Sequence, residues 1–277
     1  MMKKFISLML LAVLCLTLLA GCGGSKTDES SGNDEKTEAA DDLLAKIQAK
    51  GELTIAMEGN WAPWTYHDES DALVGFDVEI GQYIAEHLGV KANFVEGEWD
   101  GLFAGMDSGR YDLVINGVDV TDERSEKYDF SDPYAYIHTV LVVAEDNEDI
   151  KSFEDLEGKK TSNSIGSTYM ELAESYGATV EGVDSLGETM QMVISGRVDA
   201  TLNAEVSVLD YMNEHPDAPL KQVDSTEEAN LVAIPMRKGA ETATLLEAVN
   251  EAVAAMREDG TLGELSEKYF GSDITNP

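Results

Sequence analysis

The chain has 277 residues, of which 19 are basic and 54 acidic, and its formal net charge at pH 7 is −35. A charge of this sign and size opposes binding to nucleic acid and to anionic lipid, because both would repel it. The two cysteines, Cys15 and Cys22, both lie near the N-terminus, so no disulfide can stabilise the rest of the chain and a hydrophobic core must do so.

The first 22 residues have the pattern of a secretory signal. Lys3 and Lys4 precede an apolar run over residues 5–20, which is shorter than the about 20 residues of a membrane-spanning helix. The run ends in Leu-Ala-Gly-Cys22, which resembles the lipobox of bacterial lipoproteins. We predict a signal peptide over residues 1–21, a lipid such as palmitate on Cys22, and anchoring at the extracytoplasmic face of the cell membrane. An ordinary signal peptide is the alternative.

The segment after this cysteine is rich in Gly, Ser and acidic residues and offers little that a core could bury. We predict that residues 22–42 form a disordered tether, which begins at the lipidated cysteine. Residues 1–21 contain two lysines and no acid, so their removal would change the net charge from −35 to −37. No second apolar segment of spanning length follows, which argues against a membrane-spanning receptor.

Helix and strand patterns alternate through the remaining residues. Phe76, Ile80, Ile84 and Leu88 repeat every four residues and Gly89 follows them, which predicts a helix with one buried face. This alternation predicts the α/β class with largely parallel sheets. Further helices are predicted at 42–49, 102–106, 167–176, 185–195, 206–213, 241–258 and 262–269, and strands at 53–56, 93–95, 112–115, near 180 and at 198–202.

One short segment occurs twice, 87 residues apart. Residues 108–117 resemble residues 195–204: in both, a helix ends at Gly, a short strand follows, and the strand ends at Asn. We therefore predict two lobes built on the same plan. Ligands of open α/β sheets bind beyond the carboxyl ends of the strands, so Asn116 and Asn203 should face a shared cleft. A chance match is the alternative.

The usual signs of catalysis and of metal binding are missing from the sequence. The four histidines show no close spacing, and there is no phosphate loop, nucleophile elbow or Cys-X-X-Cys motif. We therefore predict a protein that is not an enzyme and that holds neither a metal nor a cofactor.

The three tryptophans, Trp61, Trp64 and Trp99, all lie at predicted strand-to-helix transitions. At such places an aromatic ring can offer a flat apolar face to a ligand, or a cation–π surface to an ammonium group. Packing in the core is the alternative, and we favour it for Trp64.

Two further features suit an anion. Thr121 is predicted to cap a short helix from which Arg124 projects a planar guanidinium, a good partner for a carboxylate; a surface salt bridge is the alternative. Ser167 and Thr168 follow Gly166 at a predicted helix start, where free backbone N–H groups and hydroxyls bind anions. A simple helix cap is the alternative there.

These residues belong to a wider set of motifs that resembles the amino-acid-binding family of bacterial extracellular solute-binding proteins. The similarity runs in order from about Gly51 to Gly271. The motifs are Gly75-Phe76-Asp77, Trp99-Asp100-Gly101-Leu102, Asp112 to Arg124, Phe130 to Tyr134, Gly166-Ser167-Thr168, Asp259-Gly260-Thr261 and Lys268 to Gly271.

The resemblance implies a type II periplasmic-binding-protein fold, in which two lobes close on a ligand around a two-strand hinge. We predict lobe 1 over residues 43–138 and 233–277, lobe 2 over 139–232, and the hinge near residues 136–141 and 228–234. The resemblance further implies a monomeric protein. This protein would bind a polar or cationic amino acid and deliver it to the permease of an ABC importer.

The resemblance also implies roles for single residues. Arg124 and the backbone N–H of Thr168 would hold the ligand's carboxylate, while the carbonyl of Gly117 would face its ammonium group. Trp61 and Trp99 would sandwich its side chain. The complete predicted ligand site consists of Glu58, Trp61, Trp99, Asn116, Gly117, Asp119, Arg124, Ser167, Thr168 and Asn203.

Two positions depart from the family pattern. Ala204 stands where many relatives place an aspartate for the ammonium group, and Asp119 stands where many have Ser or Thr. We expect Asp119 to supply the missing charge, with Glu205 as the second candidate, because a buried ammonium without a partner is costly. A ligand without an ammonium group is the alternative.

Two other functions stay open. An enzyme on this fold, similar to cyclohexadienyl dehydratase, would need an acid–base pair in the cleft, which Glu58 and Asp77 could supply. A module that senses a ligand and docks to a receptor is the second.

Overall fold

The computed structural model describes residues 42–277. The predicted signal peptide, Cys22 and the predicted tether up to residue 41 therefore lie outside the described residues. Asp42, which the sequence placed both at the end of the tether and at the start of a helix, caps the first helix and accepts a hydrogen bond from Thr244 at 2.6 Å. In the described part of the chain, no helix combines the length and the apolar character that crossing a bilayer requires.

Helices and strands alternate as predicted. The helices are Leu43–Lys50 (α1), Phe76–His87 (α2), Trp99–Asp107 (α3), Asp122–Lys127 (α4), Thr168–Ser175 (α5), Leu186–Ile194 (α6), Glu205–Glu214 (α7), Ala243–Asp259 (α8) and Thr261–Phe270 (α9), with 3₁₀ turns at Phe153–Leu156 and Ala240–Thr242. The strands are Glu52–Met57 (β1), Tyr66–His67 (β2), Leu73–Val74 (β3), Lys91–Glu96 (β4), Leu113–Val114 (β5), Tyr128–Phe130 (β6), Ala135–Ile137 (β7), Thr139–Ala144 (β8), Lys160–Asn163 (β9), Thr179–Gly182 (β10), Ala200–Ala204 (β11), Leu220–Ser225 (β12), Asn230–Val232 (β13) and Pro235–Arg237 (β14).

Two separate sheets define two lobes. Lobe 1 is built on the three-stranded sheet β4-β1-β5, and lobe 2 on the five-stranded sheet β10-β9-β11-β8-β12. All pairs in lobe 1 are parallel, as are β9 with β10 and with β11. The predicted α/β class is therefore confirmed. The expectation of largely parallel sheets holds less well in lobe 2, because β8 enters from the other lobe and runs antiparallel to both β11 and β12.

Two short antiparallel strands connect the lobes. β7 pairs with β13, with Tyr136 opposite Leu231. Beside this pair, the N–H of Val120 donates to the carbonyl of Leu231 at 2.8 Å, and the N–H of Ala233 donates to the carbonyl of Val118 at 3.0 Å. The chain thus passes from lobe 1 to lobe 2 and back within the predicted hinge segments. The predicted lobe boundaries remain a prediction.

The repeated segment has the same structure in both lobes. Asp112 accepts a hydrogen bond from the N–H of Thr54 at 2.8 Å, and its own N–H donates to the carbonyl of Thr54 at 2.9 Å. Asp199 makes the same two bonds with Lys160, each at 2.8 Å. In each lobe an aspartate thus joins the start of one strand to a parallel neighbour. Strand β11 begins directly after this aspartate, at Ala200 and not at the predicted residue 198.

We expect Asp112→Ala to lower the free energy of unfolding by about 1–3 kcal/mol, because it leaves the N–H of Thr54 without its acceptor. Urea denaturation followed by circular dichroism would measure this loss. Asp217→Ala is the matched control, since Asp217 is exposed in a turn. Equal stability of the two variants would contradict a structural role for the repeated aspartate.

Candidate functional site

A cavity lies between the two lobes, with an unfilled volume of about 480 Å³, part of it open to solvent. Every residue of the predicted ligand site lines it except Asn116. The sequence did not point to five other lining residues. The lining residues are Glu58, Asn60, Trp61, Trp99, Gly117, Asp119 and Arg124 from lobe 1, and Ser164, Ser167, Thr168, Tyr169, Ser185, Leu186 and Asn203 from lobe 2.

The carboxyl ends of strands and the starts of helices bring these side chains to the cavity. Glu58 directly follows β1, and Gly117 and Asp119 follow β5. In lobe 2, Asn203 lies near the end of β11 and Ser167 caps α5. The cavity is therefore at the place where open α/β sheets bind ligands.

Arg124 contributes the cationic side chain of the cavity wall. The hydroxyl of Thr121 caps helix α4 by accepting from the N–H of Arg124 at 3.1 Å, which fixes the start of the helix. The guanidinium donates to the carbonyl of Asp119 at 3.0 Å and to that of Gly166 at 3.2 Å. Within the described residues no carboxylate lies within 4.0 Å of it, so the surface salt bridge allowed by the sequence is not formed.

Asp119 is a buried carboxylate that joins the two lobes. Its Oδ2 accepts from the hydroxyl of Thr168 at 2.5 Å and from the amide of Asn230 at 3.3 Å. Burial raises the pKa of Asp119 to about 6, although the bond from Thr168 and the charge of Arg124 favour the ionised form. Both of these bonds go to Oδ2 and no donor among residues 42–277 reaches Oδ1, so this oxygen can accept from a ligand.

Asn116 holds Glu58 and does not face the cavity. Asn116 is completely buried. Its amide donates to Oε2 of Glu58 at 2.6 Å, and its carbonyl oxygen accepts from the N–H of Glu58 at 2.8 Å and from the hydroxyl of Thr65 at 3.2 Å. The prediction that both repeated asparagines face the cleft is thus wrong for Asn116. Asn116 thus holds both the backbone and the carboxylate of Glu58, the residue that does line the cavity.

Glu58 brings a second carboxylate to the cavity wall. Burial raises its pKa to about 7, with a smaller rise from the charge of Glu98. The bond from Asn116 acts in the opposite direction.

Asp77, which the sequence suggested as the partner of Glu58 in an acid–base pair, lies behind the cavity wall. It is completely buried and accepts from the N–H of Gly117 at 2.6 Å and from the hydroxyl of Tyr134 at 2.9 Å. Burial raises its pKa to about 7. Asp77 does not line the cavity, and its bond instead fixes the backbone at Gly117, which does.

Gly117 must be a glycine for two reasons. Its φ angle is +54°, and a Cβ atom there would lie 2.6 Å from the ring of Trp61. The backbone therefore approaches the tryptophan closely and exposes its peptide group to the cavity.

The tryptophans differ in their surroundings. Trp61 stacks on Trp64 with 5.4 Å between ring centroids and an angle of 16°, so one face of Trp61 is covered. Trp99 lies 5.4 Å from the guanidinium carbon of Arg124. Trp64 is buried in the core and does not line the cavity, in agreement with the core packing favoured for it.

At the start of helix α5 in lobe 2, the backbone N–H groups are available to a ligand, whereas the hydroxyls are already bonded within the protein. The hydroxyl of Ser167 is used within its own turn: it accepts from the N–H of Met170 at 3.1 Å and donates to the carbonyl of Ser164 at 2.7 Å. The hydroxyl of Thr168 is bound to Asp119. The N–H groups of Thr168 and Tyr169 belong to the first turn of α5 and have no acceptor within the helix.

Ala204 and Glu205, the two positions considered for the charge that binds the ammonium group, do not line the cavity. Ala204 is completely buried at the start of α7, and Glu205 follows it outside the cavity lining.

Ser185 lines the cavity but was not predicted as a site residue, and it caps α6 just as Ser167 caps α5. The same signal, a capping serine after a strand, could have identified it.

The two lobes are in contact across the cavity. Away from the hinge, four hydrogen bonds within the described part of the chain join them: Trp61 to Asn203 at 3.3 Å, Trp64 to Ser207 at 3.1 Å, Thr168 to Asp119 at 2.5 Å and Arg124 to Gly166 at 3.2 Å. The arrangement is thus a closed one, in which both lobes enclose the same small volume.

The chain was also compared with known proteins. A family model described as bacterial extracellular solute-binding proteins, family 3, matches residues 53–272. The L-cystine-binding protein TcyA of Bacillus subtilis (strain 168) is 41% identical over 99% of this chain and 100% of the relative.

Two solved structures with nearly equal identity fit to different degrees. An ancestral arginine-binding protein bound to arginine has a TM-score of 0.75 at 38% identity, with 80% of this chain and 99% of that chain covered. The L-cystine solute receptor of Neisseria gonorrhoeae in the unliganded open conformation has a TM-score of 0.58 at 39% identity, with 85% of this chain and 99% of that chain covered. The two-lobe type II fold that the resemblance implied is therefore confirmed.

The buried acids predict an unusual dependence of stability on pH. Because the pKa of Glu58 is raised in the folded protein, its stabilising contribution is complete at low pH and is lost as the pH rises through about 7. We expect Glu58→Gln to reduce the fall in unfolding free energy between pH 5 and 8, by at most about 1.4 kcal/mol per pH unit.

Urea denaturation of the unliganded protein at several pH values would measure this slope. Glu258→Gln, at an exposed position on α8, is the control. Its unfolding free energy should change with pH as steeply as that of the wild type. Identical slopes for all three proteins would contradict the assignment.

Proposed function

This chain belongs to the bacterial extracellular solute-binding proteins, family 3, and from that premise we propose that it captures a free amino acid between its lobes and delivers it to the permease of an ABC importer. The protein does this outside the cytoplasm. Closure of the lobes around the ligand creates the form that the permease receives.

One observation carries the proposal: a closed cavity holds a cation and an anion that are not paired with each other. The guanidinium of Arg124 has carbonyl oxygens as its acceptors, and Oδ1 of Asp119 accepts no hydrogen bond from the described residues. An α-amino acid carries the two complementary charges on one carbon. Its carboxylate would bind Arg124 and the first N–H groups of α5, and its ammonium group would bind Asp119 and the carbonyl of Gly117.

Asp119 takes over the charge that the family pattern places at the position of Ala204. Its side chain lines the cavity, whereas Ala204 and Glu205 do not. A bound ammonium group would also offset the cost of burying the ionised carboxylate, because the pair is desolvated together.

We propose L-cystine as the ligand, ahead of a cationic amino acid. The lining side chains include one cation, Arg124, and two carboxylates, of which Glu58 has a pKa of about 7. With Glu58 protonated, the wall is balanced and suits a ligand without net charge. Uncharged groups that both donate and accept, such as Asn60 and Ser185, suit a second dipolar head group. The full-length similarity to a cystine-binding relative points the same way.

Binding without catalysis is the simplest use of this cavity. The enzyme alternative needs an acid–base pair, and of the two proposed members only Glu58 lines the cavity. The sensor alternative uses the same ligand site and differs in the partner that receives the closed form.

We propose that the protein is a monomer held at the outer face of the membrane by a lipid on Cys22. The sequence pattern around Cys22 supports the anchor, and the strongly negative chain would otherwise be repelled by an anionic bilayer.

We expect Arg124→Ala to abolish amino-acid binding, because the ligand's carboxylate loses its charged partner in a desolvated site. The loss should exceed about 100-fold in Kd, as for other broken buried pairs. Calorimetry with L-cystine and a thermal-shift screen of the common amino acids would measure it. Lys127→Ala removes a cation one turn further along α4, where it pairs with Glu123 at the surface, and should bind as the wild type does. Normal affinity in Arg124→Ala would refute the site.

Ligand identity can be tested through pH. We expect L-cystine to bind more tightly than L-arginine at pH 6 and at pH 8. Between these values both ligands should gain up to about twofold in affinity as Asp119, with a pKa of about 6, becomes fully ionised. Arginine should gain more than cystine, because ionised Glu58 offers a partner for its guanidinium. Titration calorimetry in matched buffers would show this. Tighter binding of arginine at both pH values would overturn the cystine proposal and leave amino-acid binding intact.

A further inference from the structure

One of the four bonds across the cleft lies outside the ligand cavity. The indole N–H of Trp64 in lobe 1 donates to the hydroxyl of Ser207 in helix α7 of lobe 2 at 3.1 Å. Neither residue lines the cavity, and both are buried, with 1% and 0% of their surface exposed. The contact is therefore a closed-state interaction that a ligand does not touch.

The other three bonds differ in this respect. Each involves a residue that lines the cavity: Trp61 with Asn203, Thr168 with Asp119, and Arg124 with the carbonyl of Gly166. A ligand that engages these groups changes or replaces the bonds they make. Within residues 42–277, the Trp64 to Ser207 bond is thus the direct connection away from the hinge that can persist unchanged with any ligand.

The surroundings of Trp64 hold its indole ring in place. The ring stacks on Trp61 and also contacts Phe76 and Phe270, with centroids 5.8 Å and 5.0 Å away. The carbonyl of Trp64 accepts from the N–H of Asp77 at 3.0 Å. Because lobe 1 fixes the donor in this way, separation of the lobes is what breaks the bond.

Ser207 is held equally firmly on the other side. It lies in the first turn of α7, directly after β11. The strand ends at Ala204, whose N–H donates to the side chain of Asn203 at 3.0 Å. The acceptor for Trp64 and the acceptor for Trp61 thus belong to one short segment of lobe 2, and closure brings both indole groups to it together.

We propose that the pair of Trp64 and Ser207 is a latch that stabilises the closed arrangement of the lobes independently of which ligand is bound. This inference rests on the proposed function, since it assigns the latch a role in lobe closure around an amino acid. The apparent affinity of a protein depends on how much of it adopts the binding-competent form. The latch therefore strengthens binding of every ligand by the same factor and contributes nothing to selectivity.

The test uses Ser207→Ala, which removes the acceptor and keeps the helix. We expect Kd to rise about five- to tenfold, the effect of losing one hydrogen bond at a buried donor, and by the same factor for L-cystine and for L-arginine. The control is Ser195→Ala, also in lobe 2, whose hydroxyl bonds only to the carbonyl of Met192 in its own helix. It should bind as the wild type does.

A double-mutant cycle shows whether the bond itself is responsible. Trp64→Phe keeps an aromatic ring in the core and removes the N–H group. If the two residues act through their bond, adding Ser207→Ala to Trp64→Phe should cost no further affinity. Unchanged affinity of Ser207→Ala, unequal factors for the two ligands, or fully additive losses in the double variant would each overturn the latch.

The outcomes separate this inference from the proposed function. If the wild type binds amino acids and Ser207→Ala binds them equally well, the latch alone fails. If the wild type binds no amino acid, the proposed function fails, and small-angle X-ray scattering of the unliganded proteins then tests the latch. Ser207→Ala must show a larger radius of gyration than the wild type, and equal radii would overturn it.

Discussion

The contact between Asp119 of lobe 1 and Thr168 of lobe 2 is the interaction on which the site depends. It is a 2.5 Å hydrogen bond to a carboxylate, and it links the end of the lobe 1 sheet to the first turn of helix α5. The same carboxylate lies beside Arg124, whose guanidinium reaches across to Gly166 in the other lobe. Arg124 and Asp119 both belong to lobe 1, but only closure brings Thr168 and the first N–H groups of α5 beside them. Closure of the lobes therefore completes the site that suits a zwitterion.

Buried charge matters more for this protein than its large net charge. Most of the acidic side chains are solvated at the surface, where they affect solubility and not recognition. Among the carboxyl groups of residues 42–277, those of Glu58, Asp77 and Asp119 have pKa values raised to about 6 or 7, because burial penalises their ionised forms. Only Glu58 and Asp119 line the cavity. Asp77 instead fixes the peptide of Gly117, so a buried acid also shapes the wall that the ligand meets.

Much of the site followed from local patterns. The capping residues Thr121 and Ser167, the cation Arg124 and the glycine at position 117 stand at the ends of strands or the starts of helices, and their roles there depend on neighbours within a few positions. The repeated aspartates were also visible as a pattern. Asn116 and Asn203 occupy matching positions in that repeat, yet Asn116 bonds to Glu58 while Asn203 lines the cavity and accepts from Trp61. Equivalent positions in sequence thus have different neighbours in space.

The sequence by itself determined the order of the helices and strands, the residues at their ends and the family, because periodicity, capping and motif spacing are properties of adjacent residues. Only the tertiary structure decided that Asp77 lies behind Gly117, 40 residues away, and that Trp64 bonds to Ser207, 143 residues away. Contacts over such separations depend on how the two sheets pack and how the hinge brings the lobes together. A linear pattern carries no record of that geometry, because many packings satisfy the same periodicity and burial.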